Sequence, residues 1–419
     1  MPETPPDVIV VGAGAAGIIA AWRAASLGSK VALLEKTARI GTKILISGGG
    51  KCNITHDGPL EDLLRAFRPN EARFIRPACY RFTNDQIVEM LTSRGLTVYT
   101  RPDGRIFPVS QTAKDVVRIL GEYLYESGVD FRLDCPATGV VRDPETGLFT
   151  IQTANGSLQS ANVIITVGGS SYPASGTTGD GWPWARALGH TVVKVKAALA
   201  PMYMEIVADK WEKAGVPLRD IVLKARLSGK EISRWTGDLL FSHHGVTGPT
   251  VLAISREVAE KFGEGEIYLE VDLRPNESFE DVSQSVLAEI ETNPRKRVST
   301  FVDEHLPSRL VSEVMLAANT EMDCPFNKLD RKGRNRLVNV LKGWVIGRVR
   351  TVPLEKGEVV AGGISLDEVN PQTLESRLVP GLYFAGEVLD IAGPVGGYNL
   401  QAAFSTGYVA GESASRALQ

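Results

Sequence analysis

Residues 7–17 read DVIVVGAGAAG, a short apolar run that passes directly into closely spaced glycines. The run Asp7–Val11 has the continuous hydrophobic character of a buried parallel strand. An alanine-rich stretch with helical spacing follows from Ile18 to Leu27, and the apolar residues Val31–Leu34 lead to Glu35. Strand, glycine turn, helix, strand and acid stand in the order of a dinucleotide-binding βαβ unit.

Each glycine of this turn has a physical role. Gly12 permits the tight turn, Gly14 lets the backbone approach a pyrophosphate, and Gly17 lets the helix pack closely on the strand. The helix start then faces the phosphates with unpaired N–H groups and partial positive charge. Glu35 can accept hydrogen bonds from a ribose 2′-OH, and its carboxylate disfavours NADP here. The predicted dinucleotide contacts in this segment are Gly12, Gly14, Ala15, Ala16, Gly17, Glu35 and Lys36.

A second glycine-rich segment follows at residues 47–55, SGGGKCNIT. Successive glycine N–H groups beside the charge of Lys51 suit a phosphate or the polar edge of a flavin, whereas a flexible surface loop is the alternative. The predicted contacts in and before this segment are Lys43, Ser47, Gly48, Gly49, Gly50, Lys51, Cys52 and Asn53.

The two segments together, GAGAAG with Glu35 and then SGGGKCN, resemble a family of bacterial flavoproteins. That family includes BaiN-like reductases and aminoacetone oxidase-like enzymes, and it is also described as HI0933-like NAD(P)/FAD-dependent oxidoreductases. Its usual motif is GGGRCN, so Lys51 keeps the positive charge but lacks the planar bidentate fork of arginine. The resemblance implies FAD as the cofactor. We expect Cys52 to be a small buried hydrophobe, so Cys52→Ala should leave FAD bound.

The resemblance spans almost the whole chain, from Asp7 to Gly411. Its further matches are FPVSQTAKDV at 107–116, SYPASGTTGDG at 171–181, LFSHHGVTGP at 240–249 and GGYNLQAAFSTG at 396–407. The family's ATGG is replaced here by Thr166, Val167, Gly168 and Gly169, which leaves both glycines intact. The resemblance implies the fold and FAD, and it leaves the substrate open.

Further cofactor contacts are predicted near the C-terminus. Asp390 is the preferred ribityl or ribose-side ligand and Glu387 the alternative. The helix that opens at Gly396 and Gly397 would stabilise negative charge on the N1/C2 side of the flavin, and we expect both glycines to serve that contact. The predicted contacts of this region are Gly386, Glu387, Asp390, Asn399, Leu400 and Gln401.

The predicted architecture is an α/β fold of two units. Residues 1–190 and 353–419 form a Rossmann-type FAD-binding domain of the glutathione-reductase-like kind, with a β-meander near 131–133, 147–153 and 162–166. Residues 191–352 form an inserted domain of β-barrel and helical parts, with strands at 202–207, 221–226 and 267–273. Its helices are expected at 279–292, 306–318 and 332–342. No second dinucleotide fingerprint and no CxxC is present, so a disulfide reductase is disfavoured.

Composition excludes several other classes. A net charge of −3 gives no global basic field for nucleic acid, and the run Arg331–Arg336 is interpreted as a solvated helix start. Four scattered cysteines indicate neither a disulfide framework nor a zinc site, and no metal is expected. No apolar run is long enough for a bilayer, so we expect a cytoplasmic monomer or homodimer without a membrane partner.

These observations predict an FAD-dependent oxidoreductase that moves a hydride between flavin N5 and a small organic substrate. We favour reduction of an activated C=C in a steroid-like enone, with NAD(P)H as the transient electron donor. Oxidation of small amines, and a flavin-bound protein acting on RNA or as a redox-responsive binding module, are the alternatives. His243, Tyr398 and Tyr172 are the candidate proton donors, although His243 could equally order its loop.

Overall fold

The computed structural model describes residues 5–205 and 213–418. The chain divides into two compact units, Met1–Val195 with Glu358–Gln419, and Lys196–Gly357. The strands of the described part are β1 Val8–Val11, β2 Val31–Leu34, β3 Thr55–His56, β4 Val98–Thr100, β5 Arg105–Pro108, β6 Asp130–Arg132, β7 Ala137–Arg142, β8 Phe149–Thr153, β9 Gly156–Ser160, β10 Asn162–Ile165, β11 Val192–Ala198, β12 Met202–Met204, β13 Pro217–Leu227, β14 Lys230–Ser242, β15 Gly245–Thr247, β16 Ile267–Asp272, β17 Trp344–Thr351, β18 Val359–Ile364 and β19 Leu382–Phe384. Its α-helices are α1 Ala15–Ser26, α2 Thr42–Gly50, α3 Leu60–Arg65, α4 Pro69–Arg81, α5 Asn84–Thr92, α6 Ala113–Glu126, α7 Gly181–Ala187, α8 Pro249–Lys261, α9 Phe279–Thr292, α10 Val298–Asp303, α11 Val311–Ala317, α12 Arg331–Lys342 and α13 Tyr398–Arg416.

A five-stranded parallel sheet is the frame of the first unit. Its strand order is β19-β10-β1-β2-β6, and every neighbouring pair in it is parallel. All residues of β1, β2 and β10 are buried, as expected for strands covered on both faces. The Rossmann-type fold predicted from the first βαβ unit is confirmed.

Helices α1 and α13 pack against each other with their backbones in close contact. A Cβ atom on Gly407 would lie 2.2 Å from the carbonyl oxygen of Ala16, and one on Gly411 would lie 2.2 Å from that of Ala20. No side chain fits into such a gap, so only glycine allows this approach. Because α1 starts at the glycine turn, the packing ties the C-terminal helix to the same part of the unit.

The β-meander is present, but two of its predicted strands belong elsewhere. It consists of the antiparallel strands β7, β8 and β9. The predicted strands at 131–133 and 162–166 are instead β6 and β10 of the main parallel sheet. Short apolar runs of this kind do not reveal which strand they will pair with. Strands β3, β5 and β4 form a further small antiparallel sheet, and β11 and β18 pair in a sheet of two strands.

The second unit contains a closed six-stranded barrel in the order β12-β15-β14-β13-β16-β17. Buried aliphatic and aromatic residues from the barrel and from helices α8 to α12 form one hydrophobic core. The predicted strand at 202–207 is observed as Met202–Met204, and Ile206 and Val207 lie outside the described residues. The helix predicted at 306–318 is a 3-10 turn at Ser308–Leu310 followed by α11. The long hairpin of β13 and β14 is much longer than the strand predicted at 221–226.

Candidate functional site

Four of the predicted cofactor motifs meet at one edge of the parallel sheet. The glycine turn follows the end of β1, Glu35 follows β2, the stretch 166–169 follows β10, and the stretch 386–390 follows β19. All four strands run in the same direction, so all four motifs lie at the carboxyl edge. Ligands of open α/β sheets bind outside that edge.

The first glycine turn has the geometry that a pyrophosphate requires. A Cβ on Gly17 would lie 1.8 Å from the Gly12 carbonyl oxygen, and a Cβ on Gly12 would lie 2.8 Å from the carbonyl oxygen of Thr166. At Gly14, by contrast, a Cβ would meet no protein atom within 4 Å. The turn is therefore tightly packed on its inner side and open at Gly14, where the start of α1 can receive phosphate oxygens.

Thr166 joins two of these motifs. Its hydroxyl is buried and donates to the carbonyl oxygens of Val11 and Gly12, at 2.9 and 2.8 Å. The threonine that replaces the alanine of the family motif thus connects the end of β10 to the glycine turn. Val167 and Gly168 follow at partly exposed positions, and Gly168 has a φ of 74°.

Glu35 and Lys36 lie at the end of β2 and both have partners within the chain. The carboxylate of Glu35 accepts hydrogen bonds at 2.8 Å from the backbone N–H groups of Ala13 and Thr37. It therefore lies against the glycine turn, where a ribose hydroxyl would come. The ammonium of Lys36 lies 2.6 Å from a carboxylate oxygen of Asp180. This ion pair joins the end of β2 to the segment that contains Asp180.

The second glycine-rich segment is a sharply bent extension of α2. Within that helix Ser47, Gly48 and Gly49 have non-helical dihedral angles, and Gly48, Gly49 and Gly50 all have positive φ. Gly48, Gly49 and Lys51 are exposed, so this part keeps its backbone available to a ligand. The flexible surface loop that was the alternative is thus not observed, and the segment is a helix end that bends at its glycines.

Cys52 and Asn53 close this segment from the inside. Cys52 is fully buried, and burial raises the pKa of its thiol to about 12. The thiol is therefore protonated at neutral pH, and its predicted role as a small buried residue is confirmed. The Asn53 amide donates to the Thr55 carbonyl oxygen at 3.1 Å and accepts from the Gly397 N–H at 2.9 Å. Asn53 thereby links the segment to the start of α13.

A half-buried ion pair lies beside the paired glycines that follow β10. The ammonium of Lys43 is 2.5 Å from a carboxylate oxygen of Glu387 and donates to the Ser171 hydroxyl at 2.8 Å. Glu387 also accepts from the Val360 N–H at 3.0 Å. A Cβ on Gly169 would lie 3.2 Å from this carboxylate, so the loop contacts it directly.

Asp390, the preferred ribityl ligand, accepts from the Gly362 N–H at 2.8 Å. Both candidate carboxylates are therefore held by backbone N–H groups at the carboxyl edge of the sheet. Gly386, just before Glu387, has a φ of 75° and donates its N–H to the Thr406 hydroxyl at 3.0 Å. Ser171, the first residue of the SYPASGTTGDG match, contacts both members of the Lys43–Glu387 pair and was not among the predicted cofactor contacts.

The glycines at the start of α13 have a packing role that the sequence did not reveal. A Cβ on Gly397 would lie 2.5 Å from the backbone of Thr55, and one on Gly396 would lie 2.5 Å from the ring of Tyr398. Both also have positive φ. The fold itself therefore requires both glycines, and their expected contact with the flavin stays a prediction.

Two polar residues of α13 are used inside the protein. The Asn399 side chain binds the backbone of Gly393, accepting from its N–H at 2.8 Å and donating to its carbonyl at 2.9 Å. The Gln401 side chain is fully buried, accepts from the Thr55 hydroxyl at 2.7 Å and donates to the Phe82 carbonyl at 3.1 Å. The side chain of Gln401 thus holds the helix start in place, and Leu400 beside it is partly exposed.

Two of the three candidate proton donors belong to the first unit. Tyr398 is the first residue of α13 and stacks on the ring of His56, with centroids 4.7 Å apart and planes 21° apart. Burial raises the pKa of the Tyr398 phenol above its usual 10. Burial likewise raises the pKa of Tyr172, which has a left-handed φ of 50°. Both phenols are therefore protonated at neutral pH and can donate.

His56 was not identified from the sequence. Its Nδ1 lies 3.1 Å from the carbonyl oxygen of Gly396, and since a carbonyl only accepts, Nδ1 carries the proton. A Cβ on Gly104 would lie 2.4 Å from Nε2, so the ring is closely enclosed there. A histidine directly after the glycine-rich segment was the available signal.

His243 belongs to the second unit, in the exposed turn between β14 and β15. The neighbouring ring of His244 packs on Tyr203 with centroids 5.4 Å apart. Gly245 after it is required by packing, because a Cβ there would lie 2.2 Å from the Met202 carbonyl oxygen. The histidine pair thus marks a tight barrel turn.

The residues of the first unit fit a dinucleotide of the FAD type. The open space at Gly14, the tight turn beneath it and the Glu35 carboxylate beside it match the pyrophosphate and ribose of an adenine dinucleotide. The bent glycines of α2 and the start of α13, linked through Asn53, provide N–H groups and a positive helix end for the other half of the molecule.

No helix among the described residues has the length and apolar character needed to cross a membrane.

Known proteins similar to this chain support the same assignment. A ribosomal RNA dihydrouridine synthase of Haemophilus influenzae is 31% identical over 97% of this chain and 98% of its own. A 3-dehydro-bile acid delta(4,6)-reductase of Clostridium scindens is 29% identical over 97% of this chain and 98% of its own. The structure of a 3-ketosteroid delta1-dehydrogenase of Sterolibacterium denitrificans matches with a TM-score of 0.54 over 98% of this chain and 99% of that one, and at 13% identity this likeness concerns the fold alone.

The model of the HI0933-like protein Rossmann domain matches residues 6–413. This match covers nearly the whole chain, including both units, and it agrees with the motifs at the carboxyl edge of the sheet. The protein is an FAD-dependent oxidoreductase, and the chain belongs to the HI0933-like family.

Proposed function

We propose that this protein is a reductase that adds two hydrogens across a C=C bond conjugated to a carbonyl, and that its substrate is a uracil of ribosomal RNA. The observation that carries the proposal is the end-to-end similarity to two relatives whose names describe the same bond change. Dihydrouridine arises when the C5=C6 bond of uridine, conjugated to the C4 carbonyl, gains two hydrogens. The name of the 3-dehydro-bile acid delta(4,6)-reductase likewise describes double bonds that are conjugated with a 3-keto group.

Such a reduction needs a hydride for one carbon and a proton for the other. FAD, when bound and reduced by the electron donor, would supply the hydride from its N5 atom. The chain must then hold the substrate plane, supply a proton and stabilise the negative charge that develops on the carbonyl oxygen.

Tyr398 is the proton donor that we propose. Its phenol is neutral at physiological pH because burial raises its pKa, so it donates and does not abstract. Its ring is fixed by stacking on His56 and by an edge contact with Phe67 at 6.2 Å between centroids. A fixed ring holds the hydroxyl in one position, which general acid catalysis requires.

NAD(P)H is the proposed electron donor. The described part of the second unit is a barrel with helices, and no parallel sheet with a dinucleotide turn occurs in residues 213–357. We therefore propose that the nicotinamide and the substrate use the same site in turn, as in a ping-pong cycle.

The second candidate function is reduction of a small steroid-like enone. The Clostridium scindens relative favours it, since it matches this chain over the same length at nearly the same identity. Both candidates require the same residues at the carboxyl edge and differ in the size of the substrate.

The test is an anaerobic two-step assay on the FAD-bound protein. NADH or NADPH is added until the flavin absorbance is bleached, and then unmodified ribosomal RNA from in vitro transcription, a 3-keto-4-ene steroid, or oxygen is added. Digestion of the RNA and mass spectrometry detect a gain of two hydrogens in uridine. RNA-dependent recovery of the absorbance together with dihydrouridine supports the proposal. Recovery with the steroid alone supports the second candidate, and recovery with oxygen but with neither the RNA nor the steroid refutes both.

The donor is tested by Tyr398→Phe, with Tyr172→Phe and His243→Gln as matched comparisons. Phenylalanine retains the stacking on His56 but lacks the hydroxyl, so FAD should remain bound. We expect the reoxidation step to slow by a factor of about 10² to 10⁴, the usual contribution of a general acid. An unchanged rate in Tyr398→Phe and a slow rate in one of the other two variants would assign the proton to that residue.

A further inference from the structure

Five exposed cations in the helical part of the second unit have neither an ion-pair partner nor a side-chain hydrogen bond within residues 5–205 and 213–418. We call them the basic face: Arg295, Arg297, Lys328, Arg331 and Lys332. Two nearby cations of the same unit, by contrast, are paired. Lys296, which lies between the first two, is 3.2 Å from Glu289 and 3.0 Å from Glu304, and Lys342 is 2.8 Å from Asp272.

The backbone brings these residues together from two separate segments. Residues 294–298 run antiparallel to residues 324–327, with a bridge between Arg297 and Pro325. The Asn327 N–H donates to the Pro294 carbonyl at 2.9 Å, and the Val298 N–H donates to the Cys324 carbonyl at 2.9 Å. Arg295 lies in the turn that is closed by the hydrogen bond from the Lys296 N–H to the Asn293 carbonyl, at 2.9 Å. Arg295 and Arg297 are both exposed, whereas Val298, the first residue of α10, is buried. Lys328 directly follows the second segment, and helix α12 then starts at Arg331.

The local charge is opposite to that of the whole chain. Residues 293–300 and 321–336 contain eight lysines and arginines but only three acids, whereas the chain as a whole has a net charge of −3. The acids are Glu321, Asp323 and Asp330. Asp330 is already used, because its side chain caps α12 by accepting from the Gly333 N–H at 2.6 Å. The basic face therefore keeps a net positive charge.

Stability of the helix does not account for this arrangement. Arg331 and Lys332 are the first residues of α12, whose first turn contains no acid. The N-terminus of a helix carries partial positive charge, so cations there are unfavourable and acids would stabilise it. Cations at an unfavourable position, exposed and without partners, indicate a negatively charged partner outside the chain.

We infer that the basic face binds the phosphate backbone of the RNA substrate, an inference that rests on the proposed function. Phosphate contacts by lysine and arginine position a nucleic acid without reading its sequence. A surface of this kind would hold the RNA while the reacting uracil is presented to the site. The small enone of the second candidate function carries no phosphate and would not need it.

The test compares two pairs of substitutions with the same change in charge. Arg331→Gln with Lys332→Gln removes two cations of the basic face. Lys261→Gln with Lys356→Gln removes two exposed cations elsewhere in the same unit. Binding of unmodified ribosomal RNA from in vitro transcription is measured at several salt concentrations on the FAD-bound protein. A second basic-face pair, Arg297→Gln with Lys328→Gln, covers the case in which the first does not fold.

We expect the basic-face variant to bind RNA on the order of tenfold more weakly at 0.1 M salt, and the slope of log K against log salt to fall by about 2, one for each lost phosphate contact. The Lys261 and Lys356 variant should bind like the wild type. The melting temperatures of the two double variants should be alike, since all four substituted positions are exposed.

Equal affinity of the two variants overturns the inference, as does a wild type that does not bind RNA at all. The proposed function is read separately, from dihydrouridine formed by the wild type. If RNA binding depends on the basic face but the wild type forms no dihydrouridine, the proposed function is refuted and the RNA-binding surface is supported. If the basic-face variant forms dihydrouridine as well as the wild type does, the RNA-binding surface is refuted and the proposed function is supported.

Discussion

Gly14 is the residue at which the cofactor site can be tested with least disturbance of the fold. A Cβ there would meet no protein atom within 4 Å, and the residue has φ −80° and ψ −167°, an extended conformation open to alanine. Gly14→Ala should therefore fold normally. Its methyl group would enter the space in which a pyrophosphate approaches the backbone.

The expected magnitudes differ sharply between folding and binding. The free energy of unfolding of the apoprotein should change by less than about 1 kcal/mol, because the lower entropy of the unfolded chain, worth about 0.4–1 kcal/mol, is opposed by the weaker preference for alanine at an N-cap. FAD affinity should fall about tenfold or more, which is about 1.4 kcal/mol or more. The cause is that phosphate oxygens can no longer reach the N–H groups at the start of α1.

Urea unfolding of the apoprotein and titration with FAD, followed by flavin fluorescence, measure the two quantities. Gly17→Ala is the matched control, because its Cβ would lie 1.8 Å from the Gly12 carbonyl oxygen. We expect that variant to lose about 1–3 kcal/mol of stability or more, together with FAD binding. If Gly14→Ala binds FAD as tightly as the wild type, the pyrophosphate does not lie at this turn and the reasoning is wrong.

Three further predictions follow from the site and its surroundings. Lys43→Met and Glu387→Gln should each destabilise the protein by about 1–3 kcal/mol, and a double-mutant cycle of unfolding free energies should give a coupling energy, because the two side chains are in contact at 2.5 Å; strictly additive effects would contradict the pair. Cys52→Ala should keep FAD bound, and the native thiol should resist a thiol reagent at neutral pH, since burial raises its pKa to about 12; rapid labelling of the folded protein would refute this. Burial lowers the pKa of His190 below its usual 6.5, against the attraction of Glu368. As the pH falls, the unfolded chain therefore binds the proton before the folded chain does, and the free energy of unfolding decreases below about pH 6.5. His190→Gln should make the free energy of unfolding less dependent on pH in this range. An unchanged pH dependence would exclude His190 as the cause.

The parallel sheet and its functional edge could be predicted because their signals are local. An apolar strand, a glycine turn and a helix follow one another within the first residues of the chain, and strand direction then fixes where Glu35 must lie. The burial of Cys52 could be predicted as well, since free cysteine is among the most buried residue types.

Features that depend on distant contacts could not be predicted. The runs at 131–133 and 162–166 are recognisable as strands, but their residues do not indicate their partners. The first run pairs with β2 and the second pairs with β1. Gly397 is a glycine because the backbone of Thr55 lies against it. Nothing in the sequence near Gln401 indicates that its amide binds Thr55 and Phe82.

The long hairpin of the second unit was missed for a different reason. Strand β13 has buried positions at Leu218, Ile221, Leu223 and Ala225, with a register shift between the first two. The shift breaks the strict alternation by which a half-buried strand is recognised. Only the part after the shift, near 221–226, matched the expected pattern.

The close contact between α1 and α13 fixes the distance between the starts of the two helices. One helix begins at the pyrophosphate turn and the other at Gly397, and the contacts of Gly407 with Ala16 and of Gly411 with Ala20 leave no room for either helix to slide. Four small residues, of which Ala16 is also a predicted cofactor contact, thus hold the two helix starts at a fixed distance. A bulkier residue at Gly407 would push the two helices apart, so we expect it to weaken FAD binding through the scaffold and not through a lost contact to the cofactor.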